Sequence, residues 1–412
     1  MSPVKRAIQI LFGLFLVTLP LSVRFLVYEQ ASYRFGQFNP WVSGFVYGPE
    51  ILLLAVFGLW IIDQIQSKAE MKLEPKPLWI LLGAFALEAF VITLLFGDPW
   101  LGALFILRLF EAVAIYWIIT SGVVPLRFTV NCLLVAASLQ IVWGGAQWLL
   151  NRDLGLYLLG ESHLGPAIKN VAKLDLPSGL KQIRAYGSFL HPNILAGYLL
   201  TIFFVVWPHL KRRWAVPWLA VFGFGLYLTH SRAAWIVGIV ALVAWPLFSD
   251  RKPIQFRKSA SLAVGVLFLV SHLWFFTNSQ AVKFADPSWA ERLNLITLSQ
   301  RLAASQPQGV GVSNFTLAVE QVSTIKRMPW EFQPVHNVAF LAVNETGIQG
   351  FLILMAILVL FFWKYWKQGN PMPLFVLLAL GSFDHWPWDS FVGLMLWGLA
   401  IGFLATHQTK TG

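Results

Sequence analysis

The chain has 412 residues, 57% of them hydrophobic and only 12% charged, about half the charged share of a soluble domain. Its formal net charge is +11, and it has one cysteine, Cys132. This composition excludes a soluble enzyme, an intrachain disulfide framework and a metal centre built on thiolates; nucleic acid is excluded as a partner because the basic residues are scattered over loops between apolar runs.

A membrane span takes about 20 apolar residues. About twelve segments qualify, starting near residues 7, 43, 78, 101, 129, 187, 215, 233, 259, 337, 372 and 390. The expected fold is an all-α polytopic membrane protein of about 12 transmembrane helices, with residues 1–412 forming a single transmembrane domain. The first apolar run follows "MSPVKR" without a small-residue cleavage site, so it reads as a span and not as a removed signal. Short basic loops, "SKAEMKLEPK", "KRRW", "DRKPIQFRK" and "WKYWK", belong in the cytoplasm by the positive-inside rule. Both termini are then cytoplasmic. The long loops 151–186 and 277–336 fall outside, with the short turns "THSRAAW" and "FDHWPWDS".

The outer loops also hold arginines that topology does not require: Arg152, Arg184, Arg232, Arg292 and Arg301. Arg184 closes the first long loop in "KQIRAYGSFLHPNILAGY". It reads either as an interfacial arginine snorkelling at a helix end or as a phosphate clamp, since guanidinium presents paired donors that match phosphate oxygens. His191, Pro192 and Asn193 are expected to shape or cap the entry of the next span. Arg232 stands between two apolar spans, where facing lipid is costly, so it faces headgroups or a polar cavity. In the loop 277–336, apolar residues at helical spacing predict an amphipathic helix from about 287 to 304. It carries Arg292 beside Glu291, while Arg301 points elsewhere. Pro307 and the glycines of "PQGVGVSNF" turn the chain, and a second helix runs from about 314 to 325.

His336 follows Pro334 and precedes an apolar span. A histidine at such a rim either caps a helix or takes a proton from an incoming hydroxyl. Asn337 can cap the span. Glu345 lies on the opposite face of a straight helix and deeper, so it is expected to bond a neighbouring helix, with Gly347 and Gly350 allowing close approach. Arg108 and Glu111, three residues apart, can pair on one helix face. The outer loops hold no Asp-x-Asp pair, and His163, His191, His336 and His385 lack ligand spacing, so the expectation is no cofactor and no metal.

Four segments in order, "RAYGSFLHPNILAGYL", "LTHSRAAWIVG", "ERLNLITLSQRLAASQPQGVGVSNF" and "HNVAFLAVNETGIQGF", resemble the O-antigen ligase superfamily of bacterial membrane glycosyltransferases. That family includes O-antigen ligases, O-antigen polymerases and protein O-oligosaccharyltransferases. The resemblance covers about the second half of the chain and implies a membrane-embedded transferase (GT-C-like) architecture with a large helical extracytoplasmic loop. It further implies an undecaprenyl-diphosphate-linked glycan donor, and a hydroxyl acceptor on a glycolipid (lipid A core or similar) or glycan. Transfer takes place among membrane lipids at the outer face of the bacterial inner membrane and is metal-independent. The family's arginines map to Arg184, Arg232 and Arg292, and its base to His336; Asn337, Glu345 and Asn193 stand as supporting residues. A single displacement would invert the anomeric carbon. The runner-up readings are a polymerase joining lipid-linked repeats, a protein O-oligosaccharyltransferase and, from another class, a lipid-linked glycan flippase or secondary transporter. The last predicts charged pairs and broken helices at mid-membrane.

Overall fold

The computed structural model describes residues 2–34, 36–68, 76–245, 287–323, 328, 331–365 and 370–406. Helix α1 (Pro3–Thr18) starts where the Ser2 side chain accepts from the Lys5 amide, with proline in the first turn. A small strand module follows: β1 (Arg24–Tyr28), β2 (Tyr33–Arg34), β3 (Gln37–Phe38) and β4 (Gly44–Tyr47). In it β1 pairs antiparallel with β4, Arg24 opposite Tyr47, and β2 with β3. Then come α2 (Gly48–Ser67), α3 (Lys76–Phe96), α4 (Pro99–Thr120) and α5 (Leu126–Leu150). Asp98 caps α4 by accepting from the Trp100 and Leu101 amides. Asn151, in the left-handed conformation, ends α5.

The loop after α5 carries the hairpin β5 (Lys173–Asp175) and β6 (Lys181–Ile183). Helices α6 (Pro192–Val206), α7 (Arg212–Thr229) and α8 (Arg232–Ala244) follow. The described chain resumes with α9 (Pro287–Ser305) and α10 (Phe315–Val322), then α11 (Val338–Tyr365), α12 (Met372–Gly381), the single turn α13 (Trp386–Asp389) and α14 (Phe391–Ala405).

Eleven of the expected spans thus have a helix, and the one near residue 259 lies outside the described residues. Among the described residues, six helices are long and apolar enough to cross a membrane; α8, α12 and α14 are shorter apolar helices. The expected loop helices are present as α9 and α10. The span expected near residue 43 begins later, at Gly48, because residues 24–47 form the strand module instead.

Helices α4 and α14 pack along most of their lengths. They can do so because Gly398 lies against α4: a Cβ there would sit 2.4 Å from the Ala112 carbonyl oxygen. Helix α11 is broken at Gly347, whose φ of 66° no other residue adopts comfortably. Two carbonyls just before the break are taken by the loop between α9 and α10: Val310 donates to Asn344 O and Gly311 to Glu345 O, both at 2.9 Å. On its other side this loop meets α3, where the Val312 amide donates to Thr93 Oγ1 at 3.0 Å. Residues 309–312 are therefore a wedge between α3 and α11.

The expected Arg108–Glu111 pair does not form. Arg108 Nε instead bonds Glu50 Oε1 of α2 at 2.7 Å, and Nη2 donates to Phe45 O at 2.6 Å. A partner on a neighbouring helix leaves the guanidinium bonded to both a carboxylate and a carbonyl, which a residue one turn away on the same helix does not offer.

Candidate active site

The loops joining the helices meet at one end of the bundle. The Ala185 amide donates to Leu228 O, Ser188 Oγ to Pro20 O, the Asp98 amide to Asn314 Oδ1, and Asn39 Nδ2 to Phe332 O. A cavity of about 570 Å³ opens there. Its walls come from the strand module (Arg24, Trp41, Tyr47), the start of α6 (Arg184, His191, Asn193), α9 (Glu291, Arg292), the entrance of α11 (His336) and the turn before α14 (Asp384, His385, Asp389).

The turn Ser382–Ser390 is the hub. Asp384 takes His336 Nδ1 at 3.2 Å, the His385 amide at 2.9 Å and Asn193 Nδ2 at 3.2 Å. Asn193 in turn accepts from Arg184 Nη2 at 2.9 Å. A continuous chain of polar contacts therefore runs from Arg184 through Asn193 and Asp384 to His336. Arg184 Nε is held by Thr229 O at 2.6 Å, and Arg292 Nη1 donates to Phe383 O at 3.2 Å. Three of the sequence-predicted residues, Arg184, Arg292 and His336, thus line one cavity although Arg184 comes from the loop 151–186 and the other two from opposite ends of the loop 277–336.

The electrostatics follow from burial and company. Burial, then the charges of Arg232 and Arg292, lower the Arg184 pKa to about 10, against the pull of Tyr186 and Asp384, so Arg184 remains a cation at neutral pH. Burial alone would raise Asp384, but its bond to His336 and the charges of His336, His385 and His191 outweigh that and hold it well below the usual carboxylate range. His385 is pushed the other way from what burial dictates, upward, by Asp389 and Asp384. His191 is lowered to about 4, chiefly by burial. It is neutral at pH 7 and serves as the helix cap, its Nδ1 accepting from the Asn193 amide at 3.1 Å.

Arg232 is exposed at the first position of α8 and is not in the cavity wall, although its charge reaches Arg184. Asn337 Oδ1 accepts from the Phe340 amide, capping α11, and its Nδ2 donates to Ser382 O. Glu345 bonds Trp388 Nε1 at 2.8 Å, a partner across helices, but it also lines the cavity with His336. The helical-wheel separation of the two does not apply, because His336 precedes α11 and is not part of it.

Sequence reasoning passed over Asp384 and Asp389 and set His385 aside for want of ligand spacing, although two acids and a histidine within six residues between apolar spans were a signal. It also passed over the strand module, with Arg24 over the Phe45 ring and Trp41 edge-on to His385 at 4.9 Å. Spacing along the chain does not register proximity in the fold. His336, Asp384 and His385 each place a donor atom within 4.8 Å of the others, because the fold joins residues that no local spacing pattern connects.

A comparison with curated proteins gives no match. Residues 217–355 match the family model described as O-antigen ligase; the matched stretch includes Arg232, Arg292, His336, Asn337 and Glu345, and leaves out Arg184, Asn193 and the Asp384 turn.

Proposed function

The chain carries an O-antigen ligase family domain over residues 217–355, and from that premise we propose that it transfers a glycan from undecaprenyl diphosphate to an acceptor hydroxyl. The reaction takes place at the outer face of the bacterial inner membrane, and the acceptor is a glycolipid of the lipid A core kind or another glycan. The observation that carries this reading is the meeting of Arg184, Arg292 and His336 in one cavity.

The leaving group is a lipid diphosphate, and its departure builds negative charge. Arg184 and Arg292 face the cavity with that charge in view, and Arg232 adds to the positive field at the rim. Preorganised cations in a partly dry site are usually the largest catalytic contribution, and here they supply what a divalent cation supplies elsewhere. His336 takes the proton from the acceptor hydroxyl as it attacks the anomeric carbon. Asp384, bonded to Nδ1, orients the ring and leaves Nε2 as the base. Direct displacement inverts the carbon. Asn193 ties the arginine that holds the leaving group to the carboxylate that holds the base.

The test is incubation of purified protein with a lipid-diphosphate-linked glycan and a panel of acceptors. Single transfer to a distinct acceptor is the expected result. A ladder of lengthening glycan without an acceptor assigns the polymerase reading, and transfer to a protein acceptor the protein O-oligosaccharyltransferase. Movement of the lipid across a vesicle without turnover defeats the proposal in favour of a flippase.

A further inference from the structure

We infer that His336, Asp384 and His385 form a binding site for one borderline transition-metal dication of the Zn²⁺ type, and that its occupancy silences the base. The inhibitory half rests on the transfer reading above; the binding half does not.

The donor geometry fits. Zinc bound tetrahedrally at about 2.0–2.1 Å needs its ligand atoms roughly 3.3 Å apart. His336 Nδ1 lies 3.2 Å and His385 Nε2 lies 3.8 Å from the same oxygen, Asp384 Oδ1. The 3.8 Å separation is beyond hydrogen-bond reach, so those two atoms face each other without bonding directly. The set of two imidazoles and one carboxylate suits zinc better than magnesium or calcium, which prefer oxygen.

A second observation points the same way. His385 Nδ1 is bonded to Asp389, 2.8 Å from Oδ2. A metal-binding histidine characteristically gives its other ring nitrogen to a carboxylate, which fixes the tautomer and raises ligand basicity. Here that support turns Nε2 toward Asp384. The cavity's cations Arg24, Arg108, Arg184 and Arg292 are faced there by Glu291, Glu345, Asp384 and Asp389, and Arg108 is further paired with Glu50. Three protein ligands leave a fourth position for water or a phosphate oxygen.

Occupancy removes the base whichever ring atom of His336 is taken. A metal on Nδ1 displaces the bond to Asp384 and leaves the ring proton on Nε2. A metal on Nε2 occupies the lone pair itself. Either way the imidazole has no site left for the acceptor's proton.

The full chain, purified in detergent with any affinity tag removed and stripped by chelator, is titrated with Zn²⁺ calorimetrically and with Co²⁺ by visible absorption. One equivalent binds, with the intense absorption of a four-coordinate site, and Mg²⁺ does not compete. His385→Ala and Asp384→Asn weaken binding at least tenfold. Asp389→Asn, which keeps the shape of the supporting residue, weakens it about 10–100-fold and serves as the deciding variant if the others fail to fold. Absence of stoichiometric binding, or binding unchanged in the variants that fold, overturns the site. Zn²⁺ stops glycan transfer and chelator restores it. Binding with transfer undiminished removes only the inhibitory half, whereas a metal-free protein that transfers nothing removes the transferase reading and leaves the binding result standing.

Discussion

At the scale of single residues, the site is a short wire between two charges of opposite duty. In the proposed reaction His336 carries the proton transfer, so His336→Ala is expected to lower transfer by about 10²–10⁴-fold while the protein still inserts and elutes as a single species; near-normal transfer by this variant removes the base assignment. Asp384 is a positioning residue. Asp384→Asn keeps the shape but loses the carboxylate bonded to His336 Nδ1, and lowers kcat on the order of 10²-fold or more with the donor KM little changed, a split that a general loss of folding does not give. Arg184 uses Nε on Thr229 O and Nη2 on Asn193. Lysine cannot hold both, so Arg184→Lys raises the donor KM although it keeps the charge. The sequence made Arg184, Arg292 and His336 legible because each is a polar residue set beside an apolar run. It hid Asp384 because its bond to His336 spans 48 positions, and no local pattern says which outer turn folds over which.

At the scale of elements, helices were legible from length and hydropathy, and loop helices from apolar spacing. The strand module 24–47 was not. Phe25, Leu26 and Val27 continue the hydrophobicity of the first span, yet the three are exposed in β1, and only pairing with β4 explains them. The break in α11 was also unreadable, since a lone glycine in an apolar run usually marks close packing. Gly347 has φ 66°, and a Cβ there would stand 2.5 Å from Gln308 O. Gly347→Ala therefore destabilises the protein by about 1–3 kcal/mol, seen as a lower midpoint of thermal unfolding, whereas Gly58→Ala, inside helix α2 where nothing lies within 4 Å, does not lower it, alanine being the better helix former. In the loop 151–186, burial raises the Asp153 pKa, but bonds from Tyr157 and the Leu164 amide outweigh this and lower it. A depressed carboxylate contributes stability above its unfolded value, about pH 4, and loses it as pH falls through the folded value. The midpoint difference between wild type and Asp153→Asn accordingly shrinks below about pH 4.

At the scale of the whole molecule, the chain divides its labour unevenly. The family-matched stretch 217–355 supplies Glu291, Arg292, His336 and Glu345 to the cavity, while Arg184, His191 and Asn193 come from before it and Asp384, His385 and Asp389 from after it. The features a transporter would need, a charged pair among the helices and a broken helix, are both present, but each is used within the chain. Glu50 bonds Arg108 and also accepts from the Tyr47 amide at the first turn of α2. The break in α11 gives its carbonyls to Val310 and Gly311. That second arrangement has a mechanical consequence. Withdrawing residues 309–312 would strip two buried carbonyls of their donors, at about 1–3 kcal/mol each. The segment 309–312 is therefore set like a tent peg against the break in α11, which makes the seam between α3 and α11 a costly place to part the bundle.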